Sequence, residues 1–197
     1  MIRVRKATFD DAKDFAELVL ISAPFFPLLW GKRIDTILQD LFCYHSNLFS
    51  FEHVHFAEVN GEKAGMILGY GWEIKERENL RAGSLLFKKM GISISGKLLL
   101  LAKFNKAIGK LYNGEYYISN IATYPRYRGM GAGKRLMFEA ENEAEKIGAR
   151  RTVLDVESDN ISTIAFYQKL GYEIKNEFSV TLQKGKTLHF NRMIKEI

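Results

Sequence analysis

Residues 115–142 read EYYISNIATYPRYRGMGAGKRLMFEAEN, which combines a strand signal, a glycine-rich turn and a helix signal. Residues 116–123 are rich in aromatic and β-branched side chains, which predicts a β-strand. Tyr124 and Pro125 end that strand, because proline has no N–H to donate and restricts the residue before it. After the turn, apolar residues recur at spacings of three and four on one face of a predicted helix: Leu136, Met137, Ala140 and Ala144.

The turn between this strand and this helix is suited to bind an anion. The first N–H groups of a helix have no partner within it, and the positive end of the helix dipole lies there. Glycines let a ligand approach the backbone closely, because no Cβ stands in the way. Cationic side chains flank the turn at Arg126, Arg128, Lys134 and Arg135. The pattern therefore predicts a cradle for a pyrophosphate group.

Two common nucleotide-binding motifs do not match the turn. The phosphate loop G-x-x-x-x-G-K-[ST] fails, because Arg135 follows Lys134 and Arg128 stands at the position of the first glycine. The dinucleotide fingerprint G-x-G-x-x-G is one residue longer than the spacing present here. Asp155 could serve as its ribose-binding acid, so a dinucleotide-binding protein remains an alternative.

The pattern that does fit is R-x-x-G-x-G, from Arg128 to Gly133. Residues 121–133 read IATYPRYRGMGAG, which resembles the L-A-V-x-P-x-Y-R-G-x-G-x-G segment of the GNAT superfamily of N-acetyltransferases. Residues 160–172 read NISTIAFYQKLGY, which resembles a second GNAT motif, N-x-x-A-x-x-[LF]-Y-x-x-x-G-[FY]. Thr163 replaces the usual alanine of that motif. The resemblance covers residues 115–172.

The resemblance implies a mixed α/β (α+β) fold in a single GNAT-like domain over residues 1–197. We expect a central, twisted, largely antiparallel mixed sheet of about six or seven strands with splayed central strands, flanked by about four helices. The length of 197 residues suits one domain, and 47% hydrophobic with 26% charged residues is typical of a soluble globular protein.

Other segments have clear local signals. Ile2 and Val4 alternate in a short first strand, and Thr8 is the predicted N-cap of a helix that ends near Leu20. In the N-terminal half, a helix is predicted at 33–44 and a hairpin at 49–59 and 63–72, joined by an Asn60-Gly61 turn. In the C-terminal half, a strand is predicted at 151–157, followed by a helix that begins at 160 and ends before Gly171. A strand follows Gly171, and a last strand is predicted at 188–195.

Two segments leave alternatives open. The aromatic cluster at residues 25–30 either packs in the core or lines an acceptor pocket. An insertion of about 40 residues at 73–113 is longer than in compact GNAT domains, has no acidic residue from 79 to 114, and predicts a basic amphipathic helix around 98–111. Three interpretations of the insertion are open. It forms a helical cover or a homodimer surface, it forms a lid over the acceptor site, or it presents a surface to anionic lipid or to an acidic partner.

The resemblance also implies a reaction, in which an acetyl group passes from acetyl-CoA to a primary amine by direct attack in a ternary complex. Tyr167 matches the general acid of the family, and a phenol is protonated at neutral pH. Asn160 is expected to hold the pantetheine arm. The expected backbone contacts to the donor come from Ile121, Ala122 and Thr123 along the strand, and from Arg128, Gly129, Met130, Gly131, Ala132, Gly133 and Lys134 around the pyrophosphate.

The general base is less closely specified by the motifs. Histone-type members place a glutamate where this chain has Tyr117. Glu115 lies one pleat earlier on the same strand face, so we expect it to be the base, with Asp155 and Glu157 as alternatives. A non-catalytic acyl-CoA-binding sensor on the same fold is the alternative function.

Composition limits the remaining partners and cofactors. The net charge is +6, yet the chain has no zinc-finger spacing and no aromatic RNA-binding signature, so nucleic acid is not expected. His53 and His55 share a face of a predicted strand without a third ligand, so no metal is expected. Cys43 is the single cysteine, which excludes an internal disulfide. No apolar run is long enough for a membrane span and no signal segment is evident, so the expected location is cytoplasmic.

Overall fold

The computed structural model describes residues 1–90, 107–182 and 185–197. The strands are β1 (Ile2–Lys6), β2 (Val54–Val59), β3 (Glu62–Gly71), β4 (Glu115–Thr123), β5 (Arg151–Glu157), β6 (Glu173–Thr181) and β7 (Thr187–Glu196). The α-helices within these residues are α1 (Ala12–Ser22), α2 (Phe26–Trp30), α3 (Ile34–Phe42), α4 (Trp72–Met90), α5 (Ala132–Lys146) and α6 (Ile161–Lys169).

The seven strands form one mixed sheet in the order β1-β2-β3-β4-β5-β7-β6. Every neighbouring pair is antiparallel except β4 and β5, which run parallel. The predicted fold class is therefore confirmed. The hairpin of β2 and β3 turns at Asn60 and Gly61, which both have the positive φ angles that this turn requires (52° and 86°).

The first helix begins as the sequence predicts. Thr8 and Asp11 form a capping box, in which the Thr8 N–H donates to the Asp11 carboxylate at 2.8 Å. The first turn is a 3₁₀ turn at Phe9–Asp11, and α1 then continues to Ser22.

Two predictions for the segment at residues 49–59 were wrong. The strand expected from residue 49 begins only at Val54, because the Ser50 hydroxyl accepts a hydrogen bond from the Glu52 N–H and caps a 3₁₀ turn at Phe51–His53. His53 and His55 therefore do not share a strand face. Residues 26–30 form α2 although Pro27 lies within it, because proline is tolerated in the first turn of a helix.

The sheet separates two hydrophobic cores. On one face lie α1 and α3, whose buried residues include Phe15, Leu38 and Phe42. On the other face lie α5 and α6, whose buried residues include Leu136 and Tyr167. Strand β4 contributes to both cores because its side chains alternate between the two faces.

The first part of the insertion is α4, which packs against α3 and β3. Most of the basic helix predicted around 98–111 lies outside the described residues. Among the helices that the structure describes, none has both the length and the apolar character needed to cross a bilayer.

Candidate active site

The site is built around a gap between the two parallel strands at the middle of the sheet. Strand β4 pairs with β5 only from Glu115 to Ile118, opposite Arg151 to Leu154. Both strands continue beyond this ladder, but they no longer pair with each other. A register shift in the β3–β4 ladder places Ser119 as an extra residue, and a bulge of this kind bends a strand away from its neighbour. Residues 119–123 and 155–157 therefore border the gap.

A cavity of about 1280 Å³ runs through this gap. One end, called the donor end because the sequence predicts the acetyl donor there, is formed by the turn at Arg128–Lys134 and by α6, and the lining continues past residues 118–123 of β4 and 154–157 of β5. The other end, called the acceptor end for the same reason, lies on the opposite face of the sheet, among side chains of α1, α2 and α4. One cavity therefore reaches both faces of the sheet.

The donor end of the cavity presents unpaired backbone N–H groups. Gly131 is the N-cap of α5 and has a φ of 89°, a backbone conformation that favours glycine. The N–H groups of Arg128 and Met130 donate to the carbonyls of Pro125 and Tyr127. Within the described part of the chain, the turn has N–H groups that donate to no protein acceptor at Gly129, Gly131, Ala132, Gly133 and Lys134.

This set of donors fits a pyrophosphate. Unpaired N–H groups at a helix start stabilise a negative charge, and the exposed side chains of Arg128 and Lys134 add positive charge to the cavity lining. A Cβ on Gly129 would meet nothing within 4 Å, so the space above the turn is open. The geometry reduces the set of backbone N–H groups predicted to bind the pyrophosphate, because those of Arg128 and Met130 already donate to carbonyls of the turn.

Tyr167 lies in α6 and lines the cavity, although only 5% of the residue is exposed. Its ring contacts those of Phe166 and Tyr172. The Tyr167 hydroxyl donates to no acceptor among the residues that the structure describes. Burial raises the pKa of Tyr167, so the phenol holds its proton throughout the physiological range. A protonated hydroxyl without an acceptor of its own can donate to a group bound in the cavity.

Asn160 is the N-cap of α6. Its side-chain oxygen accepts a hydrogen bond from the Thr163 N–H at 3.3 Å. This bond fixes the direction of the side chain and leaves its NH₂ group free to donate into the cavity, which Asn160 lines. The position is compatible with the predicted contact to a pantetheine arm.

Glu115 does not lie in the cavity lining. It is buried at the start of β4, where Arg151 binds one carboxylate oxygen at 2.8–2.9 Å and the Tyr112 N–H binds the other at 2.7 Å. Both oxygens are therefore occupied. The geometry argues against Glu115 as the base, and the structure does not bring Glu115 together with Tyr167.

Asp155 is also committed to other groups. Its side chain is 1% exposed and pairs with Arg192 of β7 at 2.9 Å. The Tyr117 hydroxyl and the Gly109 N–H donate to the same carboxylate at 3.1 Å and 2.8 Å. A carboxylate with these bonds is a structural group. It is not free to bind a ribose, which weakens the dinucleotide alternative.

Glu157 is the remaining carboxylate at the gap. It is half-buried, lines the cavity, and forms no side-chain hydrogen bond or ion pair with the described residues. Burial raises the pKa of Glu157, and the nearby charge of Asp159 raises it further, while Lys186 lowers it. A carboxylate with a raised pKa is a better proton acceptor near neutral pH than an ordinary glutamate.

The acceptor end of the cavity contains several aromatic side chains. Phe25 and Trp30 of the N-terminal half, Tyr70 of β3 and Phe87 of α4 line it. Phe25 is also part of the buried core, so the cluster at residues 25–30 both packs in the core and lines the cavity. Polar groups at this end include Lys75 and Glu76 of α4.

Comparison with known proteins adds an independent observation. The model of the acetyltransferase (GNAT) family matches residues 15–172. The chain belongs to the GNAT family. The curated protein ML0378 of Mycobacterium leprae, described as uncharacterised, is 41% identical over 59 residues, which are 30% of this chain and 16% of that protein. The matched stretch is thus a small part of the curated relative.

Solved structures show the same GNAT fold. An N-acetyltransferase from Staphylococcus aureus Mu50 aligns with a TM-score of 0.71 at 20% identity, over 98% of this chain and 99% of that chain. A Bacillus subtilis acetyltransferase in complex with CoA aligns with a TM-score of 0.55 at 16% identity, over 100% of this chain and 97% of that one. At these identities the likeness supports the fold alone.

Sequence reasoning left two contributors to the cavity among its alternatives. It named Glu157 only as an alternative base, because it could not show that the partners of Glu115 and Asp155 occupy those carboxylates. It gave a lid over the acceptor site as one of several interpretations of the insertion, since the insertion lies outside the GNAT motifs, and α4 of the insertion does line the cavity.

Proposed function

We propose that this GNAT protein is an N-acetyltransferase that transfers an acetyl group from acetyl-CoA to a primary amine. The observation that carries the proposal is the gap between β4 and β5, which is continuous with the unpaired N–H groups at the start of α5. A diphosphate fits the cradle, and an extended thioester arm fits between two strands whose facing backbone groups do not pair with each other.

The residues around the gap can each take one part of the reaction. The neutral acceptor amine attacks the thioester carbonyl carbon, and Glu157 accepts the proton that the nitrogen loses as the C–N bond forms; this proton later returns through water to Tyr167, which has given up its own. A backbone N–H of residues 121–123 stabilises the oxyanion, a contribution of about 2.7–4 kcal/mol for such a donor. The C–S bond breaks and Tyr167 gives its proton to the departing sulfur. The products are an acetylated amine and free CoA.

The aromatic lining of the acceptor end supports an acceptor of a particular kind. Phe25, Trp30 and Phe87 offer apolar contact area, and Glu157 and Glu76 offer negative charge beside it. A primary amine on an apolar or aromatic group is complementary to both features. Polyamines, with several separated charges, are a poorer match.

The first experiment measures binding and turnover separately. Calorimetry with acetyl-CoA should give one site per chain, and thiol release should then require an added amine. A panel of arylalkylamines, polyamines and peptides tests the acceptor. Failure to bind acetyl-CoA would refute the proposal, whereas binding without turnover on any amine would favour the sensor alternative.

A further inference from the structure

A second group of potential ligands lies away from the gap, on the α5 face of the sheet. His55 of β2 and the glutamates Glu139 and Glu143 of α5 each direct one ligand atom into a common space, where these atoms lie within 4.8 Å of one another. The two glutamates are four residues apart, so they project from the same face of the helix. The sequence alone shows no third ligand beside His55, because the other two come from a helix far along the chain.

His55 supplies a second, independent observation. The residue is only 8% exposed, yet its ring makes no hydrogen bond or ion pair with any of the described residues. The imidazole faces two carboxylates without bonding to either, and an ion placed between the three groups could bind all of them.

The groups around His55 suit a cation. The imidazole offers a nitrogen lone pair, and the two glutamates offer carboxylate oxygens, which are ligands that divalent ions accept. Lys146 donates to Glu143 at 2.8 Å, but its side chain is 64% exposed, and surface pairs of this kind are easily displaced.

We propose that His55, Glu139 and Glu143 bind one divalent transition-metal ion, with Zn²⁺ as the best match. One imidazole nitrogen and two carboxylate oxygens are ligands that zinc accepts at about 2.0–2.2 Å, with water completing the coordination. The side chains of the two half-buried glutamates can rotate to close this distance. The proposal departs from the sequence-based expectation of no metal.

The location indicates a structural role for the ion. A helix rises about 1.5 Å per residue, so Glu139 and Glu143 lie about 10–17 Å along α5 from the N–H groups of the cradle. An ion at this distance does not contact the reacting atoms. It would tie β2 to the C-terminal half of α5 and hold that helix against the sheet.

The test uses the full chain after removal of metal with a chelator. Titration with ZnCl₂ in competition with a chromophoric chelator should give one site per chain. Glu139→Gln combined with Glu143→Gln should weaken that site at least about 100-fold. Zinc at about a hundredfold excess over its Kd should raise the Tm of the unmodified protein by about 5 °C, and should leave the double variant unchanged.

Matched controls separate this site from other zinc ligands on the surface. Glu145→Gln removes an exposed carboxylate of the same helix outside the cluster, and His45→Asn removes an exposed histidine elsewhere. Both should retain the site. Circular dichroism and the metal-free Tm show whether the double variant is folded. Equal zinc affinity for the unmodified protein and a folded double variant would overturn the proposal, as would a Tm rise of the same size in both.

Discussion

Single residues at the gap differ mainly in their partners. Glu115 and Asp155 each face an arginine from another strand, whereas Glu157 has none within the described residues. A carboxylate held by arginine stays charged but cannot move toward a substrate. Glu157 keeps that freedom, and its raised pKa makes it responsive to pH. These differences lead to separate predictions for the base and the acid.

We expect Glu157→Gln to lower kcat/KM by about 10²–10⁴-fold at pH 7, because an amide cannot accept the proton of the amine. The raised pKa means that Glu157 becomes protonated at a higher pH than an ordinary glutamate. The rate of the unmodified protein should therefore fall earlier on acidification than the pKa of free glutamate would predict. A pH series of thiol release measures both effects.

Asp159→Asn is the matched control for this pH dependence. The variant removes a charge that raises the pKa of Glu157, so the acid limb should move to lower pH while activity at pH 8 is kept. An acid limb that stays in place in both variants would exclude Glu157 as the base.

For Tyr167→Phe we expect a loss of about 10²–10⁴-fold in kcat with little change in acetyl-CoA affinity, since only the proton donor is removed. Tyr44→Phe, an exposed tyrosine outside the cavity lining, should behave like the unmodified protein. Stopped-flow thiol release together with calorimetry separates the chemical step from binding. Normal release by the Tyr167 variant would remove this residue from the mechanism.

At the scale of elements, we expect the start of α5 to govern acetyl-CoA binding. Gly131→Glu should abolish acetyl-CoA binding, because it places a side chain and a negative charge at the cradle. Gly148, at the far end of the same helix, also has a positive φ of 71° and open space around it. Gly148→Glu should therefore carry a similar backbone cost of about 1–2 kcal/mol and still bind the donor. Calorimetry distinguishes the two, and equal affinities would refute the cradle.

The elements also show how much of the structure local sequence determines. Strand β5 was predicted at its observed bounds, and the strand, turn and helix of residues 115–142 were recognised, because their signals are local: alternation, proline, glycine and helical spacing. The 3₁₀ turn at Phe51–His53 was missed, because a single Ser50 hydroxyl decides it. The cluster of His55 with α5 was also missed, because it depends on which strand a helix crosses.

At the scale of the whole molecule, the Asp155–Arg192 pair joins β5 to β7 and, through Tyr117 and Gly109, to β4 and the insertion. Breaking such a buried pair leaves an uncompensated charge. Asp155→Asn should lower the free energy of unfolding by about 3–5 kcal/mol, measured by urea denaturation. Asp159→Asn, an exposed acid nearby, should change it by less than about 0.5 kcal/mol. A stable Asp155 variant that has lost activity would instead indicate a catalytic role.

The insertion should control the acceptor and leave the donor unaffected. Gly83 of α4 lines the cavity, and a Cβ at this position would meet nothing within 4 Å, while the neighbouring Ser84 is exposed and outside the lining. Gly83→Trp should raise the KM for the amine at least about tenfold without changing acetyl-CoA affinity, because the indole would occupy space at the acceptor end. Ser84→Trp should change neither value. A Gly83 variant with unchanged KM would remove α4 from the acceptor site.

The short ladder between β4 and β5 has a consequence for local opening of the sheet. In most sheets the amide protons of the middle strands exchange with deuterium most slowly, and those of the edge strands exchange fastest. Here β4 and β5, in the middle of the sheet, share only four residue pairs. The amide protons of residues 119–123 that face β5 should therefore exchange early, although they belong to a middle strand. Such an inverted exchange profile, slowing when a ligand fills the gap, would be a signature of the open fold itself.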